Sequence, residues 1–255
     1  MKRELNMDLS VGYKSNSQIA RIVTENWGSE NLYCPYCGNM KLESYPNNMK
    51  VSDFYCPVCK EDFQLKSSAK EFGKTYPGAE YYTLIDKIGK KEQPNLFLVR
   101  YSLEEKIVKE LTFIPKTFFT HSIIEKRNPL KETAKRAGWT GSKILLDLIP
   151  IEGKFAILTS ETEIEDQVII TKLKKISYFE SKNNEEINWY SEILAIINNL
   201  PDEFYLEDVY GFEEKMKKLF PQNNNIKAKM RQQMQKLRDN GVLIFMKRGH
   251  YTKSE

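Results

Sequence analysis

The stretch that decides the fold is Asp53-Phe-Tyr-Cys-Pro-Val-Cys-Lys-Glu-Asp-Phe-Gln-Leu-Lys66. Its last four residues alternate between apolar and polar side chains. This period of two is typical of a half-buried strand, so Phe63 and Leu65 are predicted to face a hydrophobic core. Gln64 and Lys66 then share the opposite, more polar face of the strand.

The cysteines of the chain form two Cys-x-x-Cys pairs with 18 residues between the pairs. They are Cys34, Cys37, Cys56 and Cys59. This spacing is typical of a four-thiolate zinc site, because each tight turn brings both sulfurs of a pair to one tetrahedral ion. Two disulfides would require an oxidising compartment, and a redox dithiol would not need a second pair. Four protein sulfurs leave no open coordination position, so the predicted zinc ion is structural.

A second pattern consists of an acid ahead of the strand and a lysine on it. Asp53, Gln64 and Lys66 have the layout of a PD-(D/E)xK nuclease site, in which the lysine stands two residues after an acidic or amide residue. Carboxylate and amide oxygens bind Mg²⁺, and the lysine orients or polarises the attacking water beside the phosphate. The alternative is that these residues are exposed strand ends, because a short motif of this kind also arises by chance in charged proteins.

The composition bounds the class of protein. The chain has 255 residues and a formal net charge of +4, which allows one large domain or two ordinary ones. No run of residues approaches the roughly 20 apolar residues of a membrane helix, and no apolar segment follows the charged start. We therefore expect a cytoplasmic protein without membrane spans, in which thiols stay reduced.

The positive charge is concentrated towards the C-terminal end. Residues 223–255 contain eight Lys and Arg against two acidic residues, whereas residues 1–222 carry a net charge of −2. Such asymmetry indicates that the basic C-terminal segment binds the phosphate backbone of a nucleic acid. A solvated basic helix is the alternative.

The same region predicts three helices and a hairpin. Apolar residues at helical spacing predict helices at 187–199 and 207–219, and a third helix that starts at Ile226 and is closed by Asn240-Gly241. Residues 242–252 then predict two strands that turn at Arg248-Gly249. Three helices followed by a basic hairpin predict a winged helix, whose third helix enters the major groove of DNA.

The third helix has an apolar stripe formed by Ile226, Met230, Met234 and Leu237. The polar residues that avoid this stripe and are predicted to contact DNA are Lys227, Lys229, Arg231, Gln232 and Gln235. Glutamine can pair with both polar atoms of the adenine edge, whereas Lys and Arg mostly hold phosphates. A winged helix that contacts another protein is the alternative.

A second candidate DNA contact is the basic, glycine-flanked loop around Trp139. An exposed tryptophan can stack on bases or wedge between them, while Arg136 holds a phosphate. The alternative is a tryptophan that anchors the loop to the core. Elsewhere we expect a helix capped by Ser17, with Arg21 on its outer face, helical segments at 78–88 and 166–176, and a polar linker at 177–186.

Six stretches carry a resemblance to a known family. They are Tyr13-Lys-Ser-Asn-Ser-Gln18, Cys34-Pro-Tyr-Cys-Gly38, Asp53-Phe-Tyr-Cys56, Leu65-Lys-Ser67, Ala137-Gly-Trp-Thr-Gly141 and Ile226-Lys-Ala-Lys-Met-Arg-Gln-Gln233. Together they resemble the DpnI-like methyl-directed restriction endonucleases of the PD-(D/E)xK superfamily, over essentially the whole chain. The resemblance implies an α/β PD-(D/E)xK nuclease domain with a structural zinc at residues 1–180 and a winged-helix DNA-binding domain at 181–255.

The resemblance also implies a reaction and a set of residues. It implies Mg²⁺-dependent cleavage of double-stranded DNA at adenine-methylated Gm6ATC, with Asp53 as the first metal-binding carboxylate, Lys66 as the catalytic lysine and the four cysteines as zinc ligands. Gln64 departs from the family pattern, which has glutamate there. An amide binds Mg²⁺ more weakly because one negative charge is missing, and Asp62, on the same strand face, is the neighbour expected to supply that charge.

Two functions from different classes follow. The first is a type II, methyl-dependent site-specific endonuclease that is monomeric in solution and has one active site per chain. The second is a regulator that keeps the zinc module and the winged helix and binds DNA, but whose nuclease site is inactivated by Gln64.

Overall fold

The structure is a computed structural model that describes residues 1–46, 52–90, 92–149, 151–180, 184–239 and 241–254. The chain divides into two compact units. The first contains Met1–Asp147 and Ile151–Tyr178, and the second contains Leu148–Pro150 and Phe179–Glu255.

In the described part of the first unit, six strands form a mixed sheet in the order β1-β2-β3-β5-β6-β9. They are β1 (Glu43–Ser44), β2 (Phe54–Tyr55), β3 (Asp62–Ser68), β5 (Asn95–Ser102), β6 (Ile107–Ile114) and β9 (Phe155–Leu158). β3 and β5 run parallel, and the other neighbouring strands are antiparallel. The predicted alternation in β3 is confirmed, since Phe63 and Leu65 are buried and Gln64 and Lys66 are half-buried.

Two helices share the hydrophobic core of this sheet. They are α1 (Asn16–Asn31), which contributes Val23 and Trp27, and α3 (Asp166–Glu180), which contributes Ile169 and Leu173. The prediction that Ser17 caps the first helix is wrong. Ser15 occupies the N-cap position, and Ser17 lies in the first helical turn.

A smaller antiparallel sheet lies in the same unit, with the described strands in the order β4-β8-β7. They are β4 (Thr75–Glu80), β7 (Ile124–Lys126) and β8 (Gly141–Leu145), and helix α2 (Tyr81–Lys90) follows β4 directly. The helix predicted at 78–88 therefore starts too early. Glu80 ends the strand and caps α2, because its carboxylate accepts hydrogen bonds from the N–H groups of Tyr82 and Thr83 at 3.2 and 2.7 Å.

The second unit contains helices followed by a hairpin, as the sequence predicts. Its elements are α4 (Asn184–Asn198), β10 (Glu203–Tyr205), α5 (Leu206–Tyr210), α6 (Glu213–Leu219), α7 (Ile226–Asp239), β11 (Leu243–Lys247) and β12 (His250–Lys253). In the part that the structure describes, the strands pair in the order β10-β12-β11. Trp189 stacks on Phe220 in the core, with ring centroids 4.1 Å apart.

Two boundaries in this region differ from the predictions. The helix predicted at 207–219 is divided into α5 and α6 at Gly211-Phe212. The predicted linker at 177–186 overlaps the end of α3 and the start of α4, because Lys and Glu have a high helix propensity. Residues 181–183 and Asn240, the predicted end of the third helix, lie outside the described residues. No helix within the described ranges combines the length and the apolar character needed to cross a bilayer.

Candidate active site

The four cysteine thiols lie together in the first unit, with all ligand atoms within 4.8 Å of one another. The sulfurs of Cys34 and Cys59 are 3.4 Å apart, and those of Cys37 and Cys56 are 3.6 Å apart. A tetrahedral ion with Zn–S bonds of about 2.3 Å holds its sulfurs roughly 3.8 Å from one another. The cluster therefore has the size and the donor set of a structural zinc site, and its cysteines are not joined as disulfides.

Both Cys-x-x-Cys turns, here called the zinc knuckles, use the same backbone hydrogen bonds. The N–H of Gly38 donates to the carbonyl of Cys34 at 2.9 Å, and the N–H of Lys60 donates to that of Cys56 at 3.0 Å. The residue after each second cysteine has a positive φ, 77° at Gly38 and 63° at Lys60. Glycine adopts this conformation freely, whereas a lysine accepts a cost of about 1 kcal/mol, so the second knuckle is the more strained one.

Asn95, at the start of β5, connects the zinc knuckles to the strand of the candidate site. Its Nδ2 donates to Oε2 of Glu61 at 2.9 Å and to the carbonyl of Asp62 at 3.0 Å. Its Oδ1 accepts from the hydroxyl of Tyr36 at 2.8 Å and from the N–H of Lys116 at 2.9 Å. Tyr36 lies inside the first knuckle and Asp62 begins β3. A fully buried amide thus fixes the knuckle and the strand relative to each other.

Asp53 is fastened to β3 at two points. Its N–H donates to the carbonyl of Phe63 at 2.9 Å, and its Oδ2 accepts from the N–H of Leu65 at 2.8 Å. Leu65 stands between Gln64 and Lys66, so this bond brings the carboxylate against the strand segment that carries the other two candidate residues. The structure therefore brings Asp53 to the strand segment that carries Gln64 and Lys66, with Asp53 lining one cavity and the other two residues lining another.

Two charged residues of α1, Arg21 and Glu25, lie beside Asp53 and influence Lys66. Burial lowers the pKa of Lys66, and the attraction of the Asp53 carboxylate is the strongest effect that opposes this shift. Arg21 lowers the pKa of Lys66 as well, and Glu25 raises it. Asp53, Arg21 and Glu25 line one cavity of about 320 Å³, here called the acid cavity.

A second cavity of about 630 Å³, here called the lysine cavity, lies at the polar face of β3. Gln64 and Lys66 line it together with Arg136 and Trp139. The loop residues that were predicted from sequence to contact DNA are thus neighbours of the candidate catalytic lysine. Nothing in the sequence pattern places them there, because they lie about 70 residues further along the chain.

The strands β7 and β8 and the loop between them form a basic hairpin, residues 124–145, with six Lys and Arg against two acidic residues. The guanidinium of Arg136 lies 5.1 Å from the ring centroid of Trp139. The indole also packs closely on Gly141, where an added Cβ would come within 2.8 Å of the ring. Trp139 therefore anchors the hairpin, as the alternative interpretation expects, and also lines the lysine cavity, while its contact with DNA stays a prediction.

Sequence reasoning missed Glu25, and the role expected for Asp62 stays a prediction. Glu25 pairs with Arg21 at 2.7 Å on α1, an i,i+4 arrangement that by itself is typical of any exposed helix face. Asp62, the expected source of compensating charge, accepts a hydrogen bond from the Tyr45 hydroxyl at 2.7 Å, and this bond raises the pKa of Tyr45 to about 12. Asp62 is thus engaged by a phenol that stays protonated at neutral pH.

In the second unit, α7 buries the predicted stripe and exposes the predicted DNA-contacting face. Ile226, Met230, Met234 and Leu237 are buried, whereas Lys227, Arg231, Gln232 and Gln235 are exposed and Lys229 is half-buried. The ammonium of Lys227 lies 3.2 Å from Oε2 of Glu213 and 5.6 Å from the ring centroid of Tyr210. The charge of Lys227 is therefore already partly balanced within the protein.

Comparison with known families covers both units. The family model described as DpnI, the Dam-replacing family, matches residues 1–182. The chain belongs to the Dam-replacing family. The model of the Dam-replacing helix-turn-helix domain matches residues 185–253.

Membership of the Dam-replacing family gives the two units their roles. The first matched region contains the cysteine cluster, Asp53 and both cavities, so these features belong to a nuclease that acts on methylated DNA. The second region contains α7, and a helix-turn-helix domain is a DNA-binding module. The predicted resemblance to DpnI-like methyl-directed enzymes is thereby confirmed.

Proposed function

We propose that this protein is a type II restriction endonuclease that hydrolyses double-stranded DNA at adenine-methylated sites, with Gm6ATC as the target and Mg²⁺ as the catalytic cation. The observation that carries the proposal is the hydrogen bond from the Leu65 N–H to the Asp53 carboxylate at 2.8 Å. It unites a carboxylate, an amide and a lysine in a member of a family of nucleases. A monomer with one active site per chain cuts the two strands in turn or by transient pairing on DNA.

A PD-(D/E)xK core is proposed for the first unit, residues 1–180. Asp53 directly precedes β2, the strand antiparallel to β3, and Gln64 and Lys66 lie on β3. The parallel partner β5, the antiparallel β6 and helix α1 complete a mixed α/β layer around these residues. Zinc bound by the four cysteines would hold the segments before and after Asp53.

The donor set at this place fits Mg²⁺. The cation prefers oxygen ligands, and Asp53 offers a carboxylate and Gln64 an amide oxygen. When bound, Mg²⁺ supplies Lewis-acid stabilisation of the charge that develops on the phosphate and on the leaving oxygen. The Leu65 N–H holds the Asp53 carboxylate in one orientation, so the ligand is preorganised.

Lys66 has the second task at the site. Its half-buried ammonium lines the lysine cavity and is placed to orient the attacking water and to stabilise the phosphate oxygens. In-line attack by this water breaks the bond to the 3′ oxygen, which leaves a 5′ phosphate and a 3′ hydroxyl.

DNA recognition is proposed for both units. In the second unit, residues 181–255, we propose a winged helix in which α7 enters the major groove, where Gln232 and Gln235 meet base edges and Lys229 and Arg231 meet phosphates. In the first unit, Arg136 and Trp139 contact the DNA next to the lysine cavity.

The test uses matched plasmids that carry or lack adenine methylation, incubated with Mg²⁺. We expect the wild type to cut only the methylated plasmid and Asp53→Ala to lose at least 100-fold in rate. Asp86→Ala, which removes an exposed carboxylate on α2, is the matched control and should cut like the wild type.

One result of this experiment would contradict the nuclease proposal. Methyl-dependent binding in a gel shift without any cleavage by the wild type would refute the nuclease and identify the DNA-binding regulator. The substitution of glutamine for the usual glutamate at position 64 is the observation that favours this second function.

A further inference from the structure

The lysine cavity is lined by positively charged side chains from three separate elements. Lys66 comes from β3, Lys87 from α2 and Arg136 from the basic hairpin. Among the described residues that line the cavity, Glu80 alone carries a carboxylate, and this carboxylate already accepts hydrogen bonds from N–H groups at the start of α2. The cavity therefore has an excess of positive charge.

The two lysines in the last turn of α2 differ in their surroundings. Lys90 is exposed and its ammonium pairs with the carboxylate of Asp86 at 2.7 Å. Lys87 is half-buried, lines the lysine cavity, and has no ion pair with a carboxylate of the described residues. The charge of Lys87 is thus directed to the cavity and is not balanced by a carboxylate in the described part of the chain.

The rest of the lining strengthens the attraction for an anion. Leu96, Phe119 and Ile144 are buried apolar residues that form part of the wall. A cation beside such a low-dielectric wall attracts an anion more strongly than the same cation does in water. DNA presents anions at short intervals, because each strand carries one phosphate per about 3.4 Å of helix rise. A strand that places one phosphate at Lys66 therefore brings its next phosphate close to the same cavity.

We propose that Lys87, together with Arg136, forms a second phosphate subsite in the lysine cavity, which holds the phosphate adjacent to the scissile one on the same strand. The proposal rests on the proposed nuclease function, in which Lys66 faces the scissile phosphate. Two consecutive phosphates that are held at fixed points set the register of the strand, so the scissile phosphorus stays aligned with Lys66 and Asp53. Lys87 contacts the substrate at this subsite but not the reacting atoms.

The first experiment measures the binding of a methylated duplex to the full-length, zinc-loaded protein by fluorescence anisotropy, without divalent cations in the buffer. We expect Lys87→Gln to weaken binding about fivefold and to lower the slope of log K against log salt by about 0.9, the value for one phosphate contact. Lys87→Arg keeps the charge and should bind within about twofold of the wild type. Lys90→Gln removes the same charge from the same turn of α2 outside the cavity, so this matched control should change neither quantity.

The second experiment locates the phosphate that Lys87 contacts. Duplexes in which one phosphate at a time is replaced by an uncharged methylphosphonate are bound to the wild type and to Lys87→Gln. At one of the two phosphates that flank the scissile phosphate, the replacement should weaken binding to the wild type about fivefold. It should have no further effect on Lys87→Gln, because the contact is already absent there. Circular dichroism and thermal unfolding establish that each variant is folded.

The outcomes separate this inference from the nuclease proposal. If the wild type cuts the methylated duplex with Mg²⁺ and Lys87→Gln binds it like the wild type, the subsite is refuted and the nuclease proposal stands. The subsite is also refuted if Lys87→Gln weakens the binding of every methylphosphonate duplex equally, or if the coupled phosphate lies more than one position from the cut. If the coupling is found in a protein that cuts no DNA, the nuclease proposal fails and the contact of Lys87 with a phosphate stands.

Discussion

The buried side-chain amide of Asn95 connects separate segments of the first unit by hydrogen bonds. Among the described residues its amide makes four hydrogen bonds, to groups from the first knuckle, the start of β3 and the segment after β6. Each partner is itself half-buried, and Glu61 keeps a second bond, from the ammonium of Lys116 at 2.8 Å, so loss of the amide removes hydrogen bonds from groups with limited access to water. Leaving such a group unpaired costs about 1–3 kcal/mol, more than the bond contributes when it is intact.

Asn95→Ala should therefore destabilise the first unit by about 3 kcal/mol, because at least two partners lose their hydrogen bonds in a buried site. The free energy of unfolding is measured by urea titration of the zinc-loaded protein. Asn128→Ala, at an exposed asparagine in the basic hairpin, is the control and should change it by less than about 0.5 kcal/mol. Equal changes in the free energy of unfolding for the two substitutions would show that the hydrogen bonds of Asn95 do not stabilise the protein.

At the scale of elements, the contact of α1 with β3 depends on one glycine. Glycine is unfavourable inside a helix by about 1 kcal/mol relative to alanine, so Gly28 is retained against helix propensity. Its three nearest neighbours, Phe54, Leu65 and Leu32, are all buried and have little room to move.

Gly28→Ala should destabilise the protein by about 1 kcal/mol, because overpacking of about 2 kcal/mol exceeds the gain in helix propensity. Differential scanning calorimetry of the zinc-loaded protein measures the change. Gly73→Ala is the matched control, since an added Cβ there meets no atom within 4 Å. A higher melting temperature for Gly28→Ala would mean that α1 can shift on the sheet.

The helices and strands that could be predicted from the sequence are those whose pattern of apolar and polar residues lies within one short segment. The alternation in β3, the apolar stripe of α7 and the hairpin of β11 and β12 are all confirmed. The register of α1 on β3 could not be predicted, because the contact of Gly28 with Leu65 joins residues that are distant in the chain. Glu25 was missed for this reason. Gln233, which is buried in α7 between the expected apolar positions, also breaks the simple pattern.

At the scale of the whole molecule, the near-neutral total charge hides two basic surfaces. One is the exposed face of α7 in the C-terminal segment, and the other is the basic hairpin at 124–145. The average over the chain therefore understates the attraction for a phosphate backbone, which depends on local charge. The hairpin also corrects the expectation that the excess positive charge sits only towards the C-terminal end.

Arg231→Gln should weaken DNA binding and reduce the slope of log K against log salt by about 0.9, the value for one lost phosphate contact. The slope is measured by fluorescence anisotropy with a methylated duplex at several salt concentrations. Lys172→Gln, at an exposed lysine of α3, is the control and should leave the slope unchanged. An unaltered slope for Arg231→Gln would place α7 away from the DNA backbone.

The position of Asp53 between the two zinc knuckles has a consequence for biogenesis. During synthesis, the first cysteine pair leaves the ribosome before Asp53, and the second pair follows it. For the proposed nuclease, an ion shared by both pairs would add to the hydrogen bonds that hold Asp53 on β3, so metal capture would be a maturation step. A cell's zinc supply would then set the delay between making this enzyme and the first cut.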